Sequence, residues 1–231
     1  MYVAELWRYP VKSLRGEQLS TADLTGNGVA GDRLVHIRNR SGVLTGRTRH
    51  RLLGLAGRTA PDGDILIGGH RWDGPAARDL IRLAAGADAE PARYDGPERF
   101  DVLPLLVATD GGIEALGYDG RRLRPNIVIG GVPGLAERDW PGKALCIGDV
   151  VIGVYSLRAR CVVTTIDPDT GAQDLDVLRR INREFGSKLA LNCWVARGGT
   201  IRAGDRAEIT EAALPGPHPG GWITGLPYAV R

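Results

Sequence analysis

The sequence predicts a mainly β protein with a few helices, arranged as a barrel rather than as alternating βα units. Two observations carry this. Short runs of β-branched and aromatic residues recur at close spacing, with glycine-rich turns between them. Only three stretches show helical periodicity, and they do not alternate regularly with the strands as a βαβ fold requires. At 231 residues the chain can bury a full core, as one large domain or two small ones.

The elements follow in order. Tyr2 to Tyr9 reads as a strand stopped by Pro10, and Gln18 to Leu24 as a second short strand before the Gly26-Asn27-Gly28 turn. Leu34 to Arg38 alternates as a half-buried strand does, and Val43-Leu44-Thr45 answers it across the Asn39–Gly42 turn. Ile65-Leu66-Ile67 and His70-Arg71-Trp72 flank Gly68-Gly69, a hairpin signal. Pro75 can occupy the first turn of a helix running through Leu80, Ile81, Leu83 and Ala84 to Gly86. A shorter helix is expected from Thr109 through Ile113 and Leu116 to Gly117. Further strands are expected at Asn126–Ile129, Ala144–Ile147, Val150–Tyr155, Arg160–Ile166, Leu191–Ala196 and Ala207–Thr210. Between the last two, Gly198-Gly199-Thr200-Ile201 leads to a Gly204-Asp205 turn. A third helix starts after Asp174, with Leu175, Leu178 and Ile181 apolar, and stops at Phe185-Gly186; its Arg179, Arg180 and Arg183 read as a solvated face. Strand signals lapse between Gly86 and Gly96, the expected domain boundary, and the tail from Pro215 to Gly221 is too rich in breakers to be regular.

Composition narrows the function classes. Hydrophobic content of 43% and charged content of 25% are ordinary for a globular protein, and a net charge of +3 makes no case for nucleic acid. The basic residues are nearly all arginine, with lysine only at positions 12, 143 and 188, and arginine is the better residue for forked contacts to phosphate or carboxylate. The cysteines, Cys146, Cys161 and Cys193, include no Cys-x-x-Cys pair, which argues against a disulfide framework or a zinc knuckle. The histidines at 36, 50, 70 and 218 show no metal-ligand spacing. The first residues lack a secretory pattern, and no run of about 18 apolar residues occurs, so no membrane span and a cytoplasmic location are expected. Dinucleotide-binding and phosphate-loop glycine motifs are absent, as is a serine nucleophile elbow.

One stretch stands out, Arg158-Ala159-Arg160-Cys161-Val162-Val163-Thr164-Thr165-Ile166-Asp167-Pro168-Asp169-Thr170-Gly171. A thiol beside guanidiniums is a setting in which positive charge favours the ionised sulfur. A small buried cysteine in a strand is the plainer reading of the segment taken alone.

Together with Tyr9-Pro10-Val11-Lys12-Ser13, Gly31-Asp32-Arg33, Thr45-Gly46-Arg47 and Arg124-Pro125-Asn126-Ile127-Val128, this stretch, followed by Gly198-Gly199-Thr200-Ile201 and Gly204-Asp205, resembles the MOSC family, named for the C-terminal domain of molybdenum cofactor sulfurase. The likeness is to members similar to the mitochondrial amidoxime reducing component and its stand-alone bacterial relatives, and it runs from about residue 2 to residue 210. It implies a MOSC N-terminal β-barrel over residues 1–90, a MOSC β-barrel domain over 91–214 and an irregular tail over 215–231. It also implies a molybdenum cofactor, a metal-bearing pterin, with Cys161 as the thiolate ligand to the metal, a soft donor suited to it. Lys12, Ser13, Arg33, Arg124 and Asn126 take the positions of the pterin and phosphate contacts, for which a lysine charge, a hydroxyl and forked arginines are apt. Arg160, next to the ligand, is a candidate catalytic residue for the leaving hydroxide, or else a member of a structural salt bridge.

The activity so implied is reduction of N-hydroxylated compounds, hydroxylamines and amidoximes, by an oxidoreductase with a separate reductase and a ferredoxin- or cytochrome b5-like electron carrier, since no such domain is seen in the chain. Two other readings stay open: a sulfur relay or cofactor carrier using a Cys161 persulfide, and a paralogue that has lost the metal. Arg158 stands where many relatives have a second cysteine, which puts any vicinal-thiol role in doubt. Cys146 and Cys193 match no functional motif and are read as core residues.

Overall fold

The computed structural model describes residues 1–93 and 99–217; His218, the rest of the tail and residues 94–98 of the expected boundary lie outside the described residues. The first strand, β1 (Tyr2–Arg8), is followed by β2 (Glu17–Leu19), β3 (Thr21–Thr25) and β4 (Gly28–Val29). In β1 the fully buried residues are Val3 and Leu6, three apart rather than two or four. A bulge between Val3 and Glu5 takes up the extra residue and returns Leu6 to the core side. The single strand expected over Gln18 to Leu24 is two. β2 pairs with β1, whereas β3 turns away to pair with β4 and with a strand near the end of the chain.

A first β unit comprises β5 (Val35–Asn39), β6 (Gly42–Leu44), β7 (Gly57–Thr59), β8 (Ile65–Ile67), β9 (His70–Arg71) and β10 (Glu90–Arg93). Its sheets run β10-β5-β6 and β7-β8-β9 and enclose a core that includes Val35, Ile37, Leu52, Ile65 and Ile67. Helix α1 (Pro75–Ala85) closes it with Ala77, Ile81 and Ala85, an i, i+4, i+8 stripe; Leu83, expected on the apolar face, is exposed. β10 occupies part of the stretch where strand signals lapse, because Pro91 and Ala92 carry no alternation to betray it.

The larger unit is built from β11 (Leu105–Thr109), α2 (Asp110–Leu116), β12 (Ile127–Gly130), β13 (Ala144–Ile147), β14 (Val150–Ala159), α3 (Leu175–Phe185), β15 (Lys188–Arg197), β16 (Gly199–Arg202) and β17 (Ala207–Thr210). The main sheet runs β17-β13-β14-β15-β11-β12-β1-β2, and only β11 and β12, linked through α2, are parallel. The sheet closes on itself. Val3 N donates to Asp205 O and Gly204 N to Val3 O, both at 2.8 Å, and Ala207 N to Met1 O at 3.0 Å, which joins β1 to the start of β17. Val3, Leu6, Ala22, Leu24 and Val29 therefore share one core with Leu105, Ile127, Leu145, Ile152 and Leu191. On α3 the arginines face solvent in exposed pairs with Asp176 and Glu184, as expected. No helix among the described residues is long and apolar enough to cross a membrane.

Two further expectations need correction. Arg160 to Ile166 is not a strand: β14 ends at Ala159, and Val162–Thr165 forms a tight 3₁₀ turn. Threonine hydroxyls overrule β-propensity here, since Thr164 Oγ1 donates to Cys161 O at 2.8 Å and Thr165 Oγ1 to Val162 O at 2.7 Å. Cys193 is fully buried, but Cys146 is only half-buried, because in β13 it alternates with inward-facing Leu145 and Ile147.

Candidate functional site

A cavity of about 440 Å³ opens between the two β units, and Lys12, Ser13, Arg33, Arg124, Arg160 and Cys161 all line it. Pro10 ends β1, and the buried Val11 and Leu14 pin the turn that follows, so that Lys12 and Ser13 reach the cavity. Lys12 is not on an exposed turn: its side chain is 7% exposed. Asp32 folds the next loop onto this turn. Its Oδ1 accepts from Tyr9 N at 2.7 Å, and Arg33 N donates to Tyr9 O at 2.7 Å. Asp32 is fully buried with Arg33 Nε at 3.7 Å, and burial pushes its carboxyl up while that guanidinium pulls the other way.

Arg124 follows a 3₁₀ turn, Gly120–Leu123, donates through Nη2 to Leu14 O at 2.7 Å, and covers the Tyr9 ring at 4.3 Å. Ser13, Arg33 and Arg124 share an uncommon backbone state, with φ of 70°, 52° and 56°. A left-handed conformation in a non-glycine residue costs roughly 1–3 kcal/mol, and such strain clusters at ligand sites. Three of the residues proposed from sequence as anion contacts carry it.

Asn126 is placed differently. It is fully buried and is not among the cavity-lining residues. Its Oδ1 accepts from Leu106 N at 3.1 Å and its Nδ2 reaches Trp7 O at 3.4 Å, so it straps β1 to β11 beneath the site. A direct ligand contact from Asn126 finds no support in this geometry; its effect on the cavity is positional.

Cys161 sits in extended conformation between the end of β14 and the 3₁₀ turn. On one side Arg160 N bonds Ser187 O at 2.9 Å. On the other, Asp167 accepts from Asp169 N, Thr170 N and Thr170 Oγ1 and pairs with Arg122 at 2.8 Å, which holds the loop rigid. Arg160 makes no salt bridge among the described residues. Its Nη2 donates to Leu123 O at 2.7 Å, while its buried Nε has no partner. Burial, and next the charge of Arg158, push this guanidinium down to about 9, against the opposing influence of Cys161.

Among the lining residues that the sequence reading did not name as site members are Arg47, Asp101, Arg158 and Asn192. The Asp101 carboxylate meets Lys12 at 2.7 Å and Arg47 and Arg158 at 3.4 Å each. Burial alone would raise Asp101, but these three cations outweigh it and hold the carboxyl well below its usual range. Lys12 is drawn down by burial, with Asp101 opposing. Arg158 also donates to Asn192 Oδ1 at 3.2 Å. Asn192 had a signal, a lone amide inside the apolar run Leu189-Ala190-Leu191-Asn192-Cys193-Trp194; Asp101 had none. The cavity thus gathers Lys12, Arg33, Arg47, Arg124, Arg158 and Arg160 around one carboxylate, an excess of positive charge facing a thiol.

Comparison with known proteins also finds two parts, although the first takes in β1 to β4, whose side chains pack in the core of the larger unit. Residues 1–70 match the model of the MOSC N-terminal beta barrel domain and residues 110–208 that of the MOSC domain. The chain is 27% identical to mitochondrial amidoxime-reducing component 1 of Mus musculus over 74% of this chain and 67% of that protein. It is also 27% identical to mitochondrial amidoxime reducing component 2 of Homo sapiens, over 77% and 71%. A shorter match, 32% identical, links 36% of the chain to 10% of the molybdenum cofactor sulfurase of Bombyx mori. Among solved structures, YiiM from Escherichia coli superposes with a TM-score of 0.47 at 12% identity, covering 92% of this chain and 71% of that one.

Proposed function

We propose, from the premise that this chain belongs to the MOSC family, that the cavity at Cys161 binds a molybdenum cofactor and that the protein reduces N-hydroxylated compounds. One observation carries the reading: a cysteine and a surplus of cations meet in a single cavity large enough for a small cofactor. The residues fit such a group. Cys161 supplies a soft sulfur ligand, and no cluster of three His, Cys, Asp or Glu side chains able to hold a metal exists among the described residues. A metal here therefore takes its remaining ligands from a non-protein group, and that group is anionic to match Lys12, Ser13, Arg33 and Arg124.

When bound, the cofactor supplies the two-electron chemistry that breaks an N–O bond. The chain's own part is positional and electrostatic. Lys12, Arg33 and Arg124 hold the anion, with Ser13 offering a hydroxyl. Asp101 keeps Lys12, Arg47 and Arg158 mutually oriented in the absence of other anions. Arg160, beside Cys161 in the cavity wall, offers its guanidinium to the departing oxygen and favours its release as water. Two electrons and two protons are consumed per turnover, and they come from a separate reductase through a ferredoxin- or cytochrome b5-like carrier. We assign residues 1–90 to the N-terminal domain and 91–214 to the MOSC domain, with β1 to β4 of the first lending their apolar side chains to the core of the second, and we propose a cytoplasmic location.

The match to a cofactor sulfurase favours one alternative, a sulfur relay through a Cys161 persulfide. Metal and sulfur analysis separates the two. Protein purified from a host that makes the pterin should carry about one molybdenum per chain and reduce a benzamidoxime with a chemical reductant. Cyanide-released sulfur without metal would identify the relay. NADH should drive the reaction only after a reductase and its carrier are added; turnover with NADH and this protein alone would refute the partner assignment.

A further inference from the structure

A second cavity, of about 540 Å³, abuts the first and shares Leu53, Arg124 and Val163 with it as common walls. Apart from the shared Arg124, nothing in the function proposed above uses it. Five guanidiniums line it, Arg15, Arg58, Arg121, Arg122 and Arg124, against two carboxylates, Glu17 and Asp169. Both carboxylates are already engaged. Glu17 pairs with Arg8 at 2.9 Å and accepts from Thr59 N at 3.1 Å, and Asp169 is held by Arg121 at 2.6 Å. Arg121 is further satisfied by Asp119 at 2.6 Å.

Arg15, Arg58 and Arg124, by contrast, line the cavity without a carboxylate partner of their own. The Arg58 guanidinium, at the exposed mouth of the cavity, has no carboxylate partner among the described residues. Arg15 has only a long 3.4 Å contact to Pro168 O, and Arg124 donates to a backbone carbonyl. Arg122 pairs with Asp167, yet its buried Nε is left without a partner. Unpaired buried N–H groups and uncompensated cations are costly, and a planar oxyanion is the ligand whose geometry matches a guanidinium fork. Apart from Gln18, the remaining wall is apolar or aromatic and includes Trp7, Leu53, Val163 and Ile166.

We infer that this second cavity is the subsite for the carboxylate-bearing end of an aromatic substrate, whose N-hydroxyl end reaches the neighbouring cavity at Cys161. The substrate class is then a small aromatic N-hydroxylated acid, with Arg15 and Arg58 as the residues that set the preference. This rests on the reductase reading for the identity of the reacting end alone; the anion subsite itself stands on the cavity's own charge balance.

Calorimetric titration of the full chain with benzamidoxime and with its para-carboxylate tests it directly. The carboxylate should bind about tenfold more tightly, as expected for one charge-assisted forked contact. In Arg58→Glu, and separately in Arg15→Gln, the ratio of the two dissociation constants should fall towards one. Equal affinities in the parent protein, or a ratio unmoved in both variants, would overturn the proposal. Because no turnover is measured, tight and arginine-dependent carboxylate binding by a protein that reduces neither compound once loaded would keep the subsite and sink the reductase reading instead.

Discussion

Lys12 Nζ lies 2.7 Å from Asp101 Oδ1, and the same carboxylate faces Arg47 and Arg158 at 3.4 Å through Oδ2. One acid thus organises three cations contributed by both β units. Its folded-state proton affinity is depressed, so its stabilisation is present above the ordinary carboxylate range and lost only as pH falls through its lower folded value. Asp101→Asn should accordingly destabilise the fold by about 1–3 kcal/mol at neutral pH, as for a broken, partly buried ion cluster. Urea denaturation checks it, and the deficit relative to the parent should stay constant between about pH 6 and 9. A variant as stable as the parent would show the cluster to be energetically idle.

Lys12→Ala, Arg33→Ala and Arg124→Ala should each lower molybdenum and pterin content in protein purified from a competent host. The burial of Lys12 and the stacking of Arg124 on Tyr9 mean that these two changes also cost stability, of the order of 1–3 kcal/mol, more than an exposed arginine would. Arg33, with a longer 3.7 Å contact to Asp32, should lose occupancy with the smaller penalty. Full cofactor content in all three variants would remove the proposed anion site.

The three cysteines should separate cleanly. Cys161→Ala is expected to abolish reduction while the pterin contacts retain part of the cofactor. Cys161→Ser should keep low activity, because its oxygen can still coordinate. Cys193→Ala leaves a void in the barrel core and should cost about 1–2 kcal/mol, with turnover per bound metal preserved. Cys146→Ala, at a half-buried position, should move neither readout by much. Metal content, urea midpoints and rates measured on one preparation distinguish these outcomes.

His36 is buried, and burial, followed by the charges of Arg38 and Lys12, pushes it down to about 4. The neutral ring is favoured in the folded state, so the unfolded chain takes up its proton first as pH drops below about 6.5. Stability should therefore fall between about pH 6.5 and 4, by up to roughly 3 kcal/mol from this residue. His36→Gln should flatten that part of the profile, and an unchanged slope would assign the acid sensitivity elsewhere.

Much of the fold was legible because its cause is local. Pro75 and Gly86 bracket α1, Asp174 and Gly186 bracket α3, and Gly148-Asp149 turns β13 into β14. The alternation of Leu145 and Ile147 with Cys146 was equally local, yet it was missed when cysteine was taken as core by type. What escaped depends on tertiary context. The Val162–Thr165 turn is chosen by hydroxyl bonds back to the chain over intrinsic propensity, and β10 exists because β5 offers it an edge. Of the site, Lys12, Ser13, Arg33, Arg124, Arg160 and Cys161 converge on one cavity, whereas Asn126 bonds β1 and β11 instead. Asp101 was invisible because its meaning lies wholly in the cations that residues far along the chain bring to it.

The barrel seam has a bearing on how the molecule acquires its structure. Residues 1–3 bond residues 204–207, a loop closure that spans about two hundred residues. The inner end of the first strand is covered early by β2 and its other edge by β12, but its outer end, residues 1–3, stays unpaired until the segment that begins β17 is in place. Pairings of such sequence separation are slow to form, and an unfinished barrel offers its open strand to any other chain nearby. Only once Ala207 has met Met1 is that first edge sealed at its outer end, so closure of the barrel waits on the meeting of two segments far apart in sequence.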